Sequence, residues 1–192
     1  MSKDHQSSVY YGGSVLTDRK GTLLTNYQPD LSGNCFIQFI AGEWIPLGSY
    51  IINAQSFFNI AGFNPLMTMG EDSDLCRRLA LKGDFTGTQA LVLQAEVGST
   101  GSTANYRLLS VQSRAARESI LSEPYAYQRM LGSATSSYWY GRIIRAYLTS
   151  SIWNLKHRKV SIAVSRILFS LRAGLRSGKY VLSPDYWKAI YK

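Results

Sequence analysis

Residues 67–83, MTMGEDSDLCRRLALKG, constrain the fold of this chain more than any other stretch. Three carboxylates fall within four positions: Glu71, Asp72 and Asp74. Acidic side chains are stabilised at a helix N-terminus, where the helix dipole is positive and backbone N–H groups lack partners. Lys82 and Gly83 are typical of the last helical turn and of the residue that follows it. The pattern therefore predicts a helix from about Asp72 to Lys82.

This acidic cluster has a purely structural interpretation. Asp74 and Arg78 are four residues apart with the acid on the N-terminal side, which is the favourable arrangement for an ion pair on a helix. All three acids would also stabilise the helix start. On the residues of the cluster alone, this interpretation is the simpler one, and a catalytic role needs support from motifs elsewhere in the chain.

The front of the chain has a mixed pattern of strands and helices. Strands are predicted at 8–11 and 14–17, with a break at Gly12 and Gly13 and a hairpin turn at 18–21, where Gly21 can adopt positive φ. Residues 34–40 could form a strand or a short helix, because periodicity does not separate the two. Further predicted elements are a loop and buried strand at 46–52, a helix at 54–60, a strand at 85–94 and a flexible loop at 98–103.

The back of the chain is predicted to be helical throughout. Its predicted helices cover 106–121, 125–131, 138–155 and 160–175, followed by a short helix for which Ser183 is the N-cap and Pro184 the first residue. We therefore expect two domains, an α/β domain at 1–104 and a basic α-helical extension at 105–192. With two cysteines, no apolar leader and no run of roughly 18 apolar residues, we expect a cytoplasmic protein with free thiols.

The positive charge is concentrated near the C-terminus. Residues 142–192 hold 11 Lys and Arg against Asp185 alone, whereas residues 1–141 hold 10 basic and 11 acidic residues. Apolar residues recur at helical spacing in two predicted helices: Tyr140, Ile144, Tyr147, Leu148, Ile152 and Leu155, then Val160, Val164, Ile167, Leu168, Leu171 and Leu175. Either the two helices pack as an antiparallel hairpin, or they lie on an anionic membrane surface at the inner face of the membrane. Nucleic-acid binding is less favoured, because no RNP, zinc-finger or GxxG signature is present.

Three motifs together carry a resemblance to a known family. The chain opens with VYYGG, followed by Thr17, Asp18 and Gly21; residues 46–63 end in the turn IAGF; and GEDSDLCRRLALKG follows after a short spacer. This arrangement resembles the acceptor-side half of the catalytic domain of family 2 glycosyltransferases, over roughly residues 8 to 120. The resemblance implies a partial GT-A (Rossmann-like) domain, and it implies inverting transfer of a sugar from a nucleotide-sugar donor to a glycan or lipid-linked acceptor.

The resemblance also assigns roles to individual residues. It implies that Asp72 is the base that removes the proton from the attacking acceptor hydroxyl, with Glu71 beside it in acceptor binding. Inverting transfer is an in-line displacement, so a carboxylate on the acceptor side must take up that proton as the new bond forms. The residues expected to bind the acceptor or to support the site are Asp74, Arg78, Gly62, Phe63 and Trp44.

The donor half of such an enzyme has no counterpart in this sequence. Nothing before Ser8 provides the first Rossmann-like strands or the DxD motif that holds Mn²⁺ or Mg²⁺ in the family. Gln94 and Glu96 occupy the places of a family arginine and histidine, which makes Glu96 the one weak candidate for a metal ligand. We therefore expect a separate chain or a longer form to supply the donor half, and no turnover by this chain alone. The alternative is a non-catalytic remnant or a membrane-surface or interaction module.

Overall fold

The computed structural model describes residues 7–96 and 106–191, which fold as two compact units. The first unit comprises Met1–Cys35 and Trp44–Ile120, and the second comprises Phe36–Glu43 and Leu121–Lys192. This division differs from the predicted boundary after residue 104. One helical segment of the front belongs to the second unit, and most of the helix that begins at Tyr106 belongs to the first. The predicted loop at 98–103 lies outside the described residues.

The first unit contains a mixed four-stranded sheet built around its first strand. β1 (Val9–Thr17) pairs in parallel with β4 (Phe85–Glu96) along its whole length. Its other edge pairs antiparallel with β3 (Tyr50–Ile52) near its start and with β2 (Leu23–Tyr27) near its end. The mixed α/β class predicted from the sequence is confirmed, and the hairpin turn is formed with Gly21 at φ 80°.

The break predicted at Gly12 and Gly13 is wrong, because β1 continues through both glycines. The pairing of β1 with β4 instead shifts register on either side of Gly13. A Cβ at position 12 would lie 2.6 Å from Val92 Cγ1 and 2.8 Å from the carbonyl oxygen of Ala90. Glycine at this position therefore permits a close approach of two strands rather than the end of one.

Three helices complete the first unit: α2 (Ala54–Asn59), α3 (Glu71–Lys82) and α4 (Tyr106–Leu121), whose last residue belongs to the second unit. The apolar side of α3 is fully buried through Leu75 and Leu79, and Val9 and Phe85 of the sheet are equally buried. The strand β3 was expected to be buried, but Ile51 is 72% exposed. The helix predicted at 72–82 is confirmed.

The second unit is entirely helical. Its helices are α1 (Phe36–Ala41), α5 (Ala126–Ser133), α6 (Ser137–Lys156), α7 (Val160–Ser177) and α8 (Pro184–Tyr191), with a 3₁₀ helix at Gly178–Leu182. The segment whose secondary structure the sequence left open is therefore the helix α1. Its apolar residues are buried, and the Ile37 backbone N–H donates to Ser133 Oγ at 3.0 Å. Burial of these side chains explains why this segment belongs with the helical unit.

The helices α6 and α7 form an antiparallel hairpin, as one of the two sequence interpretations predicted. Ser151 Oγ donates to the Ala163 carbonyl at 3.0 Å, and the rings of Tyr140 and Tyr180 stack at 4.8 Å at the other end. The face of α7 turned inward is made of small and polar residues and one arginine: Ala163, Arg166, Ser170, Ala173 and Ser177.

The apolar residues of α7 lie on its exposed face, contrary to the usual pattern. All six residues of the predicted apolar face are exposed: Val160, Val164, Ile167, Leu168, Leu171 and Leu175, the last by 84%. The inner side of α7 also holds the partly buried Phe169, whose ring centre lies 5.3 Å from that of Tyr147 on α6, while the six residues above point towards solvent. Among residues 7–96 and 106–191, no helix combines the length and apolar character that a bilayer crossing requires.

Candidate functional site

The candidate site is built at the N-terminus of α3. Gly70 precedes the helix with φ 71° and ψ 22°, a left-handed conformation that residues other than glycine rarely adopt. A Cβ at this position would also lie 2.9 Å from Leu109 Cδ1 of α4. Gly70 thus lets the chain turn sharply into α3, and it places Glu71 and Asp72 as the first two residues of the helix.

An open cavity of about 440 Å³ lies beside this helix start. The residues that line it are Trp44, Leu47, Met69, Gly70, Glu71, Asp72, Ser73 and Leu109. Trp44 is 43% exposed and Leu47 is 56% exposed, so the lining combines exposed apolar and aromatic side chains with two carboxylates. Concave sites with an apolar lining and a few convergent polar groups are the usual setting for small-ligand binding.

The third acid of the cluster is separated from the cavity. Asp74 is buried, with 2% of its side chain exposed, and its Oδ2 accepts from Arg78 Nε at 2.7 Å. Arg78 Nη1 donates to the carbonyl oxygens of Ile60 at 2.8 Å and Gly62 at 2.7 Å. The Asp74–Arg78 pair therefore joins α3 to the glycine turn that follows α2.

The glycine turn itself is tightly folded. Gly62 has φ 65° and its missing Cβ would lie 2.9 Å from Phe57 Cζ. The preceding Ala61 also adopts positive φ, at 60°, without being a glycine. Phe63 packs edge-to-face on Phe57 with ring centres 6.0 Å apart. Gly62 and Phe63 do not line the cavity beside Asp72, so they support the site from behind it.

Buried ionisable groups lie behind the helix start. Burial raises the pKa of the Cys76 thiol to about 12, the neighbouring Tyr50 hydroxyl opposes the shift, and the charge of Asp72 adds to it. The pKa of Tyr50 is raised by burial and by its neighbours Cys76, Asp72 and Glu71. Burial lowers the pKa of the Arg77 guanidinium, while the charge of Asp74 opposes that shift most strongly. Tyr50 and Cys76 are thus neutral at pH 7, and these two protonated side chains are near enough to Asp72 to feel its charge.

Glu96 lies apart from this site. It is the last residue of β4, and its carboxylate is 4.0 Å from the guanidinium of Arg19, with both side chains largely exposed. Across residues 7–96 and 106–191, no three His, Cys, Asp or Glu side chains come together as a metal-ligand set. Mg²⁺ and Mn²⁺ prefer several oxygen ligands, and an arginine neighbour disfavours them. The residues present around Glu96 therefore do not fit the metal that the family resemblance implies.

Of the residues that line the cavity, sequence reasoning identified Trp44, Glu71 and Asp72 but missed part of the wall. Met69 and Leu109 were not recognised, although both line the cavity. Gln112 of α4 was missed as well; its Oε1 accepts from the Met69 backbone N–H at 3.2 Å and holds the segment before α3. The available signal was the position of Leu109 and Gln112 on one face of a predicted amphipathic helix, three residues apart.

Neither a scan against models of known protein families nor a search among curated proteins finds a match to this chain. The argument for a function therefore depends on the site itself. Its geometry offers two carboxylates at the N-terminus of α3 and a tryptophan that lines the same cavity. Such an arrangement can bind a polyhydroxylated ligand and accept a proton from one of its hydroxyls.

Proposed function

We propose that this chain carries the acceptor side of a GT-A-type, inverting, family 2-like glycosyltransferase, with Asp72 as the base. The observation that supports it is that the three acids of the cluster lie in different environments. Glu71 and Asp72 line the same open cavity as Trp44, whereas Asp74 forms a buried ion pair with Arg78. A purely capping role would not require an open cavity beside two of the acids.

The proposed roles follow from the positions of the side chains. Asp72 accepts the proton of the attacking hydroxyl, and Glu71 accepts hydrogen bonds from other hydroxyls of the acceptor. The Trp44 ring provides an apolar surface against which the C–H face of a sugar can pack. Arg78 and Gly62 fix the position of α3 through the bonds described above. The nucleotide-sugar donor would be held by residues of a separate chain or a longer form.

Acceptor binding can be tested on this chain directly. A panel of neutral monosaccharides and disaccharides, titrated into ¹⁵N-labelled protein, should shift the Trp44 indole N–H signal and the backbone signals of Glu71 and Asp72 saturably. Trp44→Leu should abolish the shifts at residues 71 and 72. Trp187→Leu is a matched control, since Trp187 is 45% exposed against 43% for Trp44 but lies in the second unit. Shifts that persist in Trp44→Leu, or no shift with any sugar, would contradict the proposal.

The base can be tested in a complex or longer form that transfers sugar. Asp72→Asn keeps the shape and most hydrogen bonding of the side chain but cannot accept the proton. It should lower kcat by about 10²-fold or more, the usual contribution of a positioned base, while donor binding stays nearly unchanged. If Asp74→Asn abolished turnover in a fully folded protein and Asp72→Asn did not, the base would be wrongly assigned.

A second candidate function, docking on an anionic membrane surface, is favoured by the exposed apolar face of α7. Residues 142–192 carry a net charge of +10, and the apolar residues of α7 are exposed within the same unit. An apolar face flanked by basic residues is the pattern of helices that lie in the membrane interface. The proposed occupant of this face is a bilayer containing anionic lipid.

Vesicle sedimentation distinguishes this candidate from a solvated basic surface. Binding should be tighter to vesicles with phosphatidylglycerol than to phosphatidylcholine alone, and it should weaken as the Debye length falls from about 10 Å at 0.1 M salt to about 3 Å at 1 M. Leu171→Ser with Leu175→Ser should reduce it. Leu66→Ser is the control, because Leu66 is 85% exposed in the first unit. Equal binding to both vesicles, or tighter salt-sensitive binding to RNA, would refute the membrane assignment.

A further inference from the structure

A second cavity, of about 410 Å³, lies within the helical unit. Its walls are formed by the segment between α4 and α5 and by α6 and α7. Its lining includes the apolar or aromatic residues Leu121, Tyr127, Tyr147, Ile162 and Phe169. Its polar side chains include three serines, Ser122, Ser161 and Ser165, and one arginine, Arg166. Pro124 and the exposed Glu123 complete the lining.

Arg166 is the unusual member of this lining. The residue is only 5% exposed, although it stands on a helix whose apolar residues face solvent. Its Nη2 donates to Ser122 Oγ at 3.0 Å, and its Cζ lies 5.8 Å from the centre of the Tyr147 ring. Within the described part of the chain, Arg166 forms no ion pair with a carboxylate, and its Nε has no hydrogen-bond partner.

A buried arginine without a counter-ion is costly for a protein to retain. An uncompensated charge removed from water destabilises the folded state, and an unsatisfied buried N–H adds to that cost. One serine hydroxyl and one aromatic ring offset only part of this loss. Because Arg166 lines the cavity, an anion that enters it would supply the missing counter-charge.

We propose that this cavity binds the phosphate group of an organic phosphate ester, with Arg166 as the principal ligand. A guanidinium presents several N–H donors in one plane, a geometry that suits phosphate oxygens. Hydroxyls of Ser122 and Ser165 can donate to the remaining oxygens. The aromatic and aliphatic walls then face the organic part of the ligand. This site is independent of the proposed transferase site, since its lining residues belong to the other unit.

The primary test follows the arginine side chains of the whole chain by NMR. Sodium phosphate is titrated at constant ionic strength, and the Nε–H signals are recorded in ¹H–¹⁵N spectra. One Nε–H signal should shift saturably as phosphate binds the same guanidinium, and that signal should be missing in Arg166→Gln. Acetate at the same ionic strength should have a much smaller effect. No saturable shift, or an equal shift with acetate, would overturn the assignment to phosphate.

Variants establish that the effect belongs to this cavity. Arg166→Gln should weaken phosphate binding about tenfold or more, whereas Lys179→Gln should leave it unchanged. Lys179 is an exposed residue of the same unit, so both substitutions remove one positive charge. If Arg166→Gln fails to fold, Arg166→Lys keeps the charge but loses the planar donors, and its affinity should fall below that of the unchanged protein. Equal affinities for all these proteins would mean that phosphate only screens the basic surface.

The source of the phosphate is distinguished by two further probes. Glycerol 3-phosphate represents a free ester, and phosphatidylcholine vesicles containing phosphatidic acid represent a lipid headgroup. Tighter binding of glycerol 3-phosphate than of inorganic phosphate, lost in Arg166→Gln, identifies a soluble ligand. An Arg166-dependent preference for phosphatidic acid over phosphatidylglycerol vesicles identifies a lipid. If neither probe depends on Arg166, the proposed site for an organic phosphate is refuted.

Discussion

Replacing Arg78 by methionine should destabilise the protein more than any other single change at the start of α3. Methionine keeps most of the length of the side chain but removes the charge and every donor. The buried carboxylate of Asp74 then loses the Nε–H that lies 2.7 Å from it, and the carbonyls of Ile60 and Gly62 lose their shared donor. Because Asp74 is only 2% exposed, water cannot replace the lost partner without local opening.

The size of the effect follows from the unequal burial of the two partners. Leaving a buried charge without its partner typically costs about 3–5 kcal/mol, a large part of the roughly 5–15 kcal/mol that stabilises a typical domain. Asp74→Asn should cost less, about 1–2 kcal/mol, because Arg78 is 20% exposed and keeps its two carbonyl acceptors. The double variant should therefore cost less than the two single variants added together, since the buried charge is gone.

Urea unfolding followed by circular dichroism measures these differences, and hydrogen exchange of the α3 amides locates them in the first unit. Lys188→Met is a matched control, because its ion pair with Asp185 is 3.3 Å long and both side chains are largely exposed. Its effect should stay within about 0.5 kcal/mol. The reasoning fails if Arg78→Met costs no more than Asp74→Asn, or if the two effects add without coupling.

Three smaller predictions concern other positions in the first unit. Ala61→Gly should raise the urea midpoint, because a left-handed residue with a Cβ costs roughly 1–2 kcal/mol and the added flexibility of glycine takes back about 0.4–1 kcal/mol; an unchanged or lower midpoint would contradict this. Gly12→Ala should lower the midpoint, since the new Cβ would lie 2.8 Å from a backbone oxygen; a tolerated alanine would show that the strands can separate at little cost. The Cys76 thiol, with its pKa raised to about 12, should react with Ellman's reagent at pH 8 only as fast as the protein opens. The pKa of the Cys76 thiol in the folded protein exceeds the unfolded value of about 8.5. The contribution of this thiol to stability is therefore complete below about pH 8.5 and is lost as the pH rises towards 12. Rapid labelling of the native protein would refute the prediction that the thiol reacts only on opening.

The local signals in the sequence predicted most of the helices. The acids before Leu75 and the glycine after Lys82 fixed both ends of α3, and the pair Ser183 and Pro184 marked the start of α8. The acids and the proline succeed as signals because dipole and proline effects depend on neighbours within one turn. The hairpin turn before β2 was predictable for the same reason. Gly83, by contrast, is extended with φ −153°, and its missing Cβ would lie against Ser8, which is distant in sequence.

Features that depend on distant partners were not predictable in the same way. The apolar residues of α7 were compatible with either a helical hairpin or a membrane-facing surface, and the helix packs through Ala163, Ser170 and the partly buried Phe169, whose ring lies 5.3 Å from that of Tyr147 on α6. Gly12 was interpreted as a strand end, since nothing nearby in the sequence indicates that Val92 lies against it. The transfer of α1 to the second unit depends likewise on apolar contacts with residues about a hundred positions away.

The candidate site shows how a local pattern and a distant contact together determine where the acidic side chains lie. Successive residues of an α-helix are rotated by about 100°, so Asp72 and Asp74 point in directions about 200° apart. If one acid of such a pair faces the interior of the unit, the other must face away from it. This follows from the sequence alone, once the segment is a helix. Which of them faces inward is decided by Arg78, whose bonds to the carbonyls of the glycine turn hold Asp74 on the buried side. The same hydrogen bonds leave Asp72 on the side of α3 that lines the cavity together with Trp44. An Arg78 variant that folds should therefore perturb acceptor binding at Asp72 without touching the ligand, and that coupling would not arise if the acids only capped the helix.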